Sequence, residues 1–257
     1  MKNKRYYLTL VLLISINVFA QLKPIKYKDG IQVLNGFQIK PTSKSAQKPG
    51  ILILPAWKGI DKLSKDTAEK LAKSGYYAFI ADIYGEGNYP KDNAEAGKNA
   101  GYYKTNFLEY QKRISLALEQ LLLSGANPDN IVVIGFCFGG TGALEAARAH
   151  LKVKGIVSFH GGLGRDSTRV LEPITAKVLV CHGADDPYVS VEEIAAFQQE
   201  MKDVKADWQM IYYANAVHSF TNPESGNDNS KGAAYNEKAS KRSWEHFKIF
   251  LKEVLSK

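Results

Sequence analysis

The chain has 257 residues, is 45% hydrophobic and 23% charged, and carries a formal net charge of +8. That make-up suits one α/β domain or two small ones and excludes a disordered, charge-dominated chain. Its lysines are dispersed with no Arg-rich or aromatic-interleaved run, which argues against nucleic acid as a partner. The two cysteines, Cys137 and Cys181, are too few for a disulfide scaffold and form no close pair of the zinc-binding kind.

The N-terminus reads as an address. Lys2, Lys4 and Arg5 make a basic start, Leu8 to Phe19 is apolar apart from Thr9, Ser15 and Asn17, and Val18-Phe19-Ala20 offers small residues to a signal peptidase. About a dozen apolar residues are too few to span a bilayer, which takes about 20. Residues 1–20 are therefore expected to be a cleaved signal peptide. No cysteine follows to take a lipid, so residues 21–257 are expected to be exported to the periplasm or secreted, without stable membrane insertion.

Beyond it, residues 26–40 suggest a leading antiparallel pair ending in Ile31 to Leu34 and Gly36 to Ile39. Pro41 to Pro49 is a loop, and Ile51-Leu52-Ile53-Leu54 is apolar throughout, as a strand covered on both faces would be. Asp61 to Ser74 has helical spacing and ends at Gly75, where a left-handed cap belongs. Tyr76 to Asp82 is the next strand. Gly85 to Gly101, rich in Gly, Asn and Lys, reads as a long irregular region, either at the mouth of a site or a plain surface connection. A helix over Phe107 to Leu123 follows, then strands at 131–135, 153–159, 178–181 and 208–213. Helices are expected at about 141–150, 191–201 and 234–255. Alternation of this kind predicts a single α/β domain, a mostly parallel sheet with helices on both faces.

Strand Ile131 to Ile134 runs directly into Gly135-Phe136-Cys137-Phe138-Gly139-Gly140. This is a G-x-nucleophile-x-G turn with a strand before it and a helix after it. A nucleophile on such a sharp turn projects above the sheet, and the flanking positions must lack side chains because they are crowded. Sulfur at a helix N-terminus also favours its thiolate form, and the Phe138 N–H points where an oxyanion would form. Against this stands the plain reading of Cys137 as a small buried hydrophobe.

Partners follow in order. Asp186 comes just after strand 178–181 and before a helix entry, and His218 lies on a loop past strand 208–213. Nucleophile, acid, histidine is the chain order of α/β-hydrolases. Asp185 is adjacent, and only one of the two can reach His218. His160 and His182 also fall just beyond strand ends, where α/β sites form, with a pocket role or a structural hydrogen bond both open. No pair of His or Cys stands at ligand spacing on one element, so neither a metal nor another cofactor is expected.

Several segments resemble the dienelactone hydrolase family over almost all of residues 21–257. They are Leu54-Pro55-Ala56-Trp57-Lys58-Gly59, Gly75 to Tyr77, Asp82-Ile83-Tyr84-Gly85, the cysteine turn, Phe159-His160-Gly161-Gly162, Gly183 to Val189, His218 to Pro223, and the tail from Tyr235 to Trp244. The resemblance implies an α/β-hydrolase fold, a triad of Cys137, Asp186 and His218, and a second oxyanion N–H from Trp57. Tyr84, His160 and Phe220 would line the substrate pocket. Three departures bear on the substrate. Where members that cleave dienelactone carry a Glu and two arginines, this chain has Ala56, Glu86 and Asn222. The expected partner is a small ester, lactone or thioester, neutral rather than anionic, with Lys58 the nearest cation in sequence. A non-catalytic binding protein on the same fold and a thiol redox protein using Cys137 and Cys181 are the alternatives.

Overall fold

The computed structural model describes residues 21–43 and 45–255. The expected signal segment, residues 1–20, lies outside them. The chain opens with an antiparallel hairpin, β1 (Lys23–Asp29) and β2 (Gln32–Ile39), turning at Gly30 with φ 58°. The two runs 31–34 and 36–39 fall largely within a single strand, β2. Gly36 is there for packing: a methyl group in its place would stand 2.5 Å from the Phe79 ring.

The rest alternates: β3 (Gly50–Leu54), α1 (Lys62–Lys73), β4 (Tyr77–Ile80), α2 (Asn93–Thr105), α3 (Phe107–Leu123), β5 (Ile131–Phe136), α4 (Phe138–Arg148), β6 (Gly155–Phe159), β7 (Lys177–Gly183), α5 (Val191–Asp203), β8 (Trp208–Tyr213) and α6 (Glu237–Leu255). One eight-stranded sheet has the order β1-β2-β4-β3-β5-β6-β7-β8, parallel from β4 through β8. Because β4 and β5 leave β3 on opposite sides, the order reverses there, and in open α/β sheets ligands bind beyond the carboxyl ends of the strands at such a point.

The continuous apolar strands are explained by cover on both faces. Leu52 and Leu54 point into a core with Ile114, Leu144, Phe197 and Met201, from α3, α4 and α5. Ile51 and Ile53 point the other way, among Leu71 of α1 and Phe247 and Leu251 of α6. Asp61 starts α1 with a reciprocal capping box to Ser64. Among the described residues no helix is long and apolar enough to cross a membrane.

The region expected to be irregular is half helix. Asp92 caps α2 by accepting the Glu95 N–H at 2.8 Å. The helix buries Ala96, Ala100 and Tyr103. Those positions are spaced for a helix, but two are alanines and Gly97 and Gly101 interrupt them, so no apolar stripe marks the segment. The stretch before it is held by one buried carboxylate. Asp82 accepts hydrogen bonds from the N–H groups of Asn35 (2.7 Å), Tyr84 (3.1 Å) and Gly85 (2.9 Å) and from the Tyr89 hydroxyl (2.7 Å).

Two glycine replacements should separate close approach from mere flexibility. A methyl at Gly139 would overlap the Leu54 carbonyl, whereas one on exposed Gly101 in α2 meets nothing within 4 Å. Gly139→Ala is expected to cost about 1–3 kcal/mol or more, lowering Tm by roughly 2–4 °C per kcal/mol. Gly101→Ala should raise stability by about 0.5–1 kcal/mol. Thermal denaturation of both variants checks this.

Candidate active site

A single residue separates β5 from α4. Cys137 sits there at φ 54° and ψ −116°, in a region that side-chain-bearing residues rarely adopt. Its N–H donates to the Phe159 carbonyl (3.0 Å) and lies 3.2 Å from Nδ1 of His160. Its carbonyl accepts from the N–H groups of Gly140 (2.9 Å) and Thr141 (3.2 Å). The glycines around it are obligatory. A methyl on Gly135 would overlap the Gly139 carbonyl, and one on Gly140 would lie 2.7 Å from Oγ of Ser158. Phe138 is buried and stacks on Tyr110 at 4.5 Å, and the Tyr110 hydroxyl donates to its carbonyl at 3.0 Å.

The acid and the histidine meet over the adjoining strand ends. Asp186 is buried and Asp185, beside it, is exposed. Oδ2 of Asp186 is 2.8 Å from Nδ1 of His218, and its Oδ1 accepts the Tyr188 N–H at 2.9 Å. The loop that bears His218 is stitched to a later segment: the His218 N–H donates to Gly232 (3.1 Å), and its carbonyl accepts from Ala234 (3.0 Å). Tyr188 and His160 flank the imidazole, both edge-on, with ring centres 5.2 and 5.3 Å away.

Electrostatics tie the thiol to that imidazole. Burial opposes charge on Cys137, yet the hydrogen bond and charge of His218, the Phe138 N–H and the charge of Lys104 hold its pKa below the ordinary thiol value. Burial likewise opposes a proton on His218, but hydrogen bonds to Asp186 and Cys137 outweigh it and push its pKa up to about 10. Each group thus favours the charged form of the other, thiolate beside imidazolium. Cys181 is the contrast: burial pushes its thiol up to about 12, with the Tyr213 hydroxyl 3.6 Å away. Both cysteines are free.

After β3, Pro55 to Ile60 forms the loop beside the cysteine. The Gly59 N–H closes it onto the Ala56 carbonyl (2.9 Å), and the Tyr84 hydroxyl donates to the Trp57 carbonyl (2.7 Å). Trp57 is partly exposed. Gly97 of α2 faces its ring, so close that a methyl there would stand 3.8 Å away.

The expected pocket residues are placed differently. Tyr84, His160 and Phe220 are 3%, 1% and 0% exposed, so they back the wall of the site rather than line an opening. Each is occupied: Tyr84 braces the Trp57 loop, His160 bridges to the Thr221 hydroxyl at 2.7 Å, and Phe220 packs edge-on to His160 at 5.2 Å. His182 is buried edge-on against Tyr212. Lys58 is exposed, with its ammonium 5.9 Å from the Trp57 ring centre. The lysine whose charge reaches Cys137 is Lys104, on α2, which lines a cavity of about 250 Å³ with Thr141, Gly162, Gly164 and Glu193. Glu86 turns to Lys26 on the surface (3.5 Å), and Asn222 accepts the Glu224 N–H at 3.0 Å. Neither Lys104 nor Tyr188 carries a sequence signal, because each depends on an element folding over the strand ends. Among the described residues no group of three or more His, Cys, Asp or Glu is arranged to hold a metal ion.

Residues 34–255 match the model of the dienelactone hydrolase family. A Bradyrhizobium protein described as "Probable 2-oxo-3-(5-oxofuran-2-ylidene)propanoate lactonase" is 29% identical over 215 residues, covering 79% of this chain and 83% of its own. The crystal structure of a dienelactone hydrolase-like promiscuous phosphotriesterase from metagenomic libraries is 34% identical with a TM-score of 0.86, covering 91% of this chain and 98% of that one. An acylaminoacyl peptidase of Pyrococcus horikoshii shares the fold at 16% identity, with a TM-score of 0.70 over 94% of this chain and 43% of its own.

The paired charges have a measurable signature. Cys137 should react with iodoacetamide at pH 7 faster than free cysteine, whose thiol is mostly protonated there. The rate should fall in acid as the thiolate is protonated, and change again through about pH 10 as His218 loses its proton. His218→Ala should abolish both departures. Alkylation that follows free cysteine at every pH would mean the two groups are not paired. Cys181, buried and with its pKa raised, should stay silent.

Proposed function

Since this chain belongs to the dienelactone hydrolase family and is an ester and lactone hydrolase, we propose that it works through an acyl-cysteine intermediate on Cys137. The observation that carries this is the 2.8 Å hydrogen bond from His218 to Asp186, together with a thiol on the turn between β5 and α4 whose pKa His218 and the Phe138 N–H lower. The thiolate attacks the carbonyl carbon of an ester, lactone or thioester. Negative charge gathers on the carbonyl oxygen, where the N–H groups of Phe138 and Trp57 would hold it. The tetrahedral intermediate collapses, breaking the bond to the leaving group, which takes the proton from Nε2 of the His218 imidazolium. Neutral His218 then removes a proton from water, the hydroxide attacks the thioester, and the carboxylic acid departs as thiolate and imidazolium re-form. Asp186 accepts the Nδ1–H throughout, fixing the tautomer and supporting the imidazolium.

The substrate is proposed to be small and neutral. Neither Glu86 nor Asn222 supplies a cation where dienelactone-cleaving members carry arginine, and both side chains are engaged elsewhere. The deciding experiment is a panel of short aryl esters, lactones, thioesters and phosphotriesters, with selected members tested as the free acid and its methyl ester. Hydrolysis with a trapped acyl adduct on Cys137 is expected, with the methyl ester preferred. Cys137→Ala should abolish turnover, and activity that survives it would sink the mechanism. Asp186→Asn should cost on the order of 10⁴-fold in kcat, by analogy with serine triads, while Asp185→Asn should cost little.

The N-terminal segment supports a place of action outside the cytoplasm. N-terminal sequencing of protein recovered from its host is expected to begin at Gln21, and intact residues 1–20 would overturn that.

A further inference from the structure

His160 is an unusual residue to find where it is. It follows β6 directly, adopts φ 42° in the left-handed region, and is 1% exposed. That backbone turn swings its ring under the cysteine turn instead of along the sheet. Nδ1 lies 3.2 Å from the Cys137 N–H, and Nε2 lies 2.7 Å from Oγ1 of Thr221. The backbone N–H can only donate, so Nδ1 must carry a lone pair, and the ring proton is fixed on Nε2, aimed at Thr221.

Thr221 is three residues past His218, on the same loop. The Asn222 N–H, donating to the Ser219 carbonyl at 2.9 Å, closes the turn between them. One imidazole therefore spans the two segments that must stay in register: the backbone of the nucleophile and the loop of its base. We infer that His160 is a positioning residue, a neutral imidazole that bolts the Cys137 turn to the His218 loop and so sets the distance between thiolate and imidazolium.

Its neutrality is built in. Burial, then the charge of His218 and more weakly that of His182, hold its pKa well below the usual histidine value. A second proton on the ring would also set Nδ1–H against the Cys137 N–H, donor to donor. The Phe220 ring, 5.2 Å away, and the His218 ring, 5.3 Å away, keep the bridge dry, where hydrogen bonds are strongest. This role rests on reading Cys137 and His218 as the reacting pair. It is separate from acyl transfer, because His160 need never touch substrate.

The test reads the thiol directly. Iodoacetamide alkylation against pH should be compared for the unmodified enzyme, His160→Phe, Thr221→Val, the double variant and His160→Gln. His160→Phe keeps the ring volume but removes both bonds. It should raise the Cys137 pKa and slow alkylation at pH 7 by roughly tenfold, towards the rate of free cysteine. Thr221→Val should shift the profile the same way by less. The double variant should be no worse than His160→Phe, since the two residues form one bridge. His160→Gln, which restores an acceptor and a donor, should recover part of the rate.

Profiles that superimpose on the unmodified enzyme, or effects of the two single changes that simply add, would overturn the proposal. If His160→Phe does not fold, Thr221→Val alone decides, because an unshifted profile there rejects the bridge. Hydrolysis that survives Cys137→Ala would refute the nucleophile instead, whatever the alkylation profiles show.

Discussion

A cysteine held in the left-handed backbone region is the constraint on which this molecule depends. At φ 54° Cys137 sits where its own β-carbon is unwelcome, and that conformation persists only because its surroundings enforce it. Two contacts fix its N–H, two fix its carbonyl, and glycines at 135, 139 and 140 let three backbones come closer than any side chain would allow. The same geometry starts α4 immediately behind the sulfur, which places the Phe138 N–H at the thiol and the helix dipole beneath it. Sheet order, helix placement and electrostatics all converge on one residue. Were the turn relaxed, β5 and α4 could still pack, but the sulfur would lose its elevation and its charge partner.

Much of this is legible in the sequence, because the turn demands residues that betray it. Only glycine fits at 135 and 139, and the strand before them is apolar at every position since helices cover both faces. His218 is marked by its place on the loop after the last strand, whereas adjacent Asp185 and Asp186 are told apart only by the family resemblance and by the burial of Asp186. What the sequence hides is hidden for a physical reason. The α2 helix buries two alanines and a tyrosine, so its amphipathic stripe is too faint to see. Gly36 sits inside a strand because its backbone closely approaches the Phe79 ring, which the sequence does not mark. Tyr84, His160 and Phe220 are marked as important by position, but position does not reveal whether an aromatic ring faces substrate or supports the wall behind it. Burial decides that, and burial is a property of the assembled chain.

The irregular stretch between β6 and β7 is a second case in which charge replaces secondary structure. Arg148 reaches Glu200 at 2.7 Å and Glu145 at 3.0 Å while donating to the carbonyls of Leu163 (2.9 Å) and Gly164 (3.2 Å). Glu193 accepts the N–H groups of the same two residues at 2.5 and 2.9 Å. Arg169 joins Glu145 from within the stretch itself, at 2.9 Å. Both backbone faces of residues 163–164 are thus satisfied by side chains of α4 and α5. Charged groups buried in this way contribute little net stability, because desolvation offsets attraction, but they specify one path for a segment that has no ladder of its own. That path borders the cavity beside the first turn of α4.

The stitching of the histidine loop has a consequence in time. His218 is positioned by Gly232 and Ala234, and the Asn236 N–H donates to the Phe220 carbonyl at 3.1 Å, just ahead of α6, which ends at Leu255. His218 is thus fixed by residues made after it, and those lead into the final helix. Until that helix has docked, Cys137 has no organised imidazolium opposite it, and its sulfur is an ordinary, mostly protonated thiol. Chain order therefore sets when these two groups can meet. In a chain whose last helix has not yet docked, Cys137 and His218 are not held opposite each other, and the thiol keeps its ordinary reactivity.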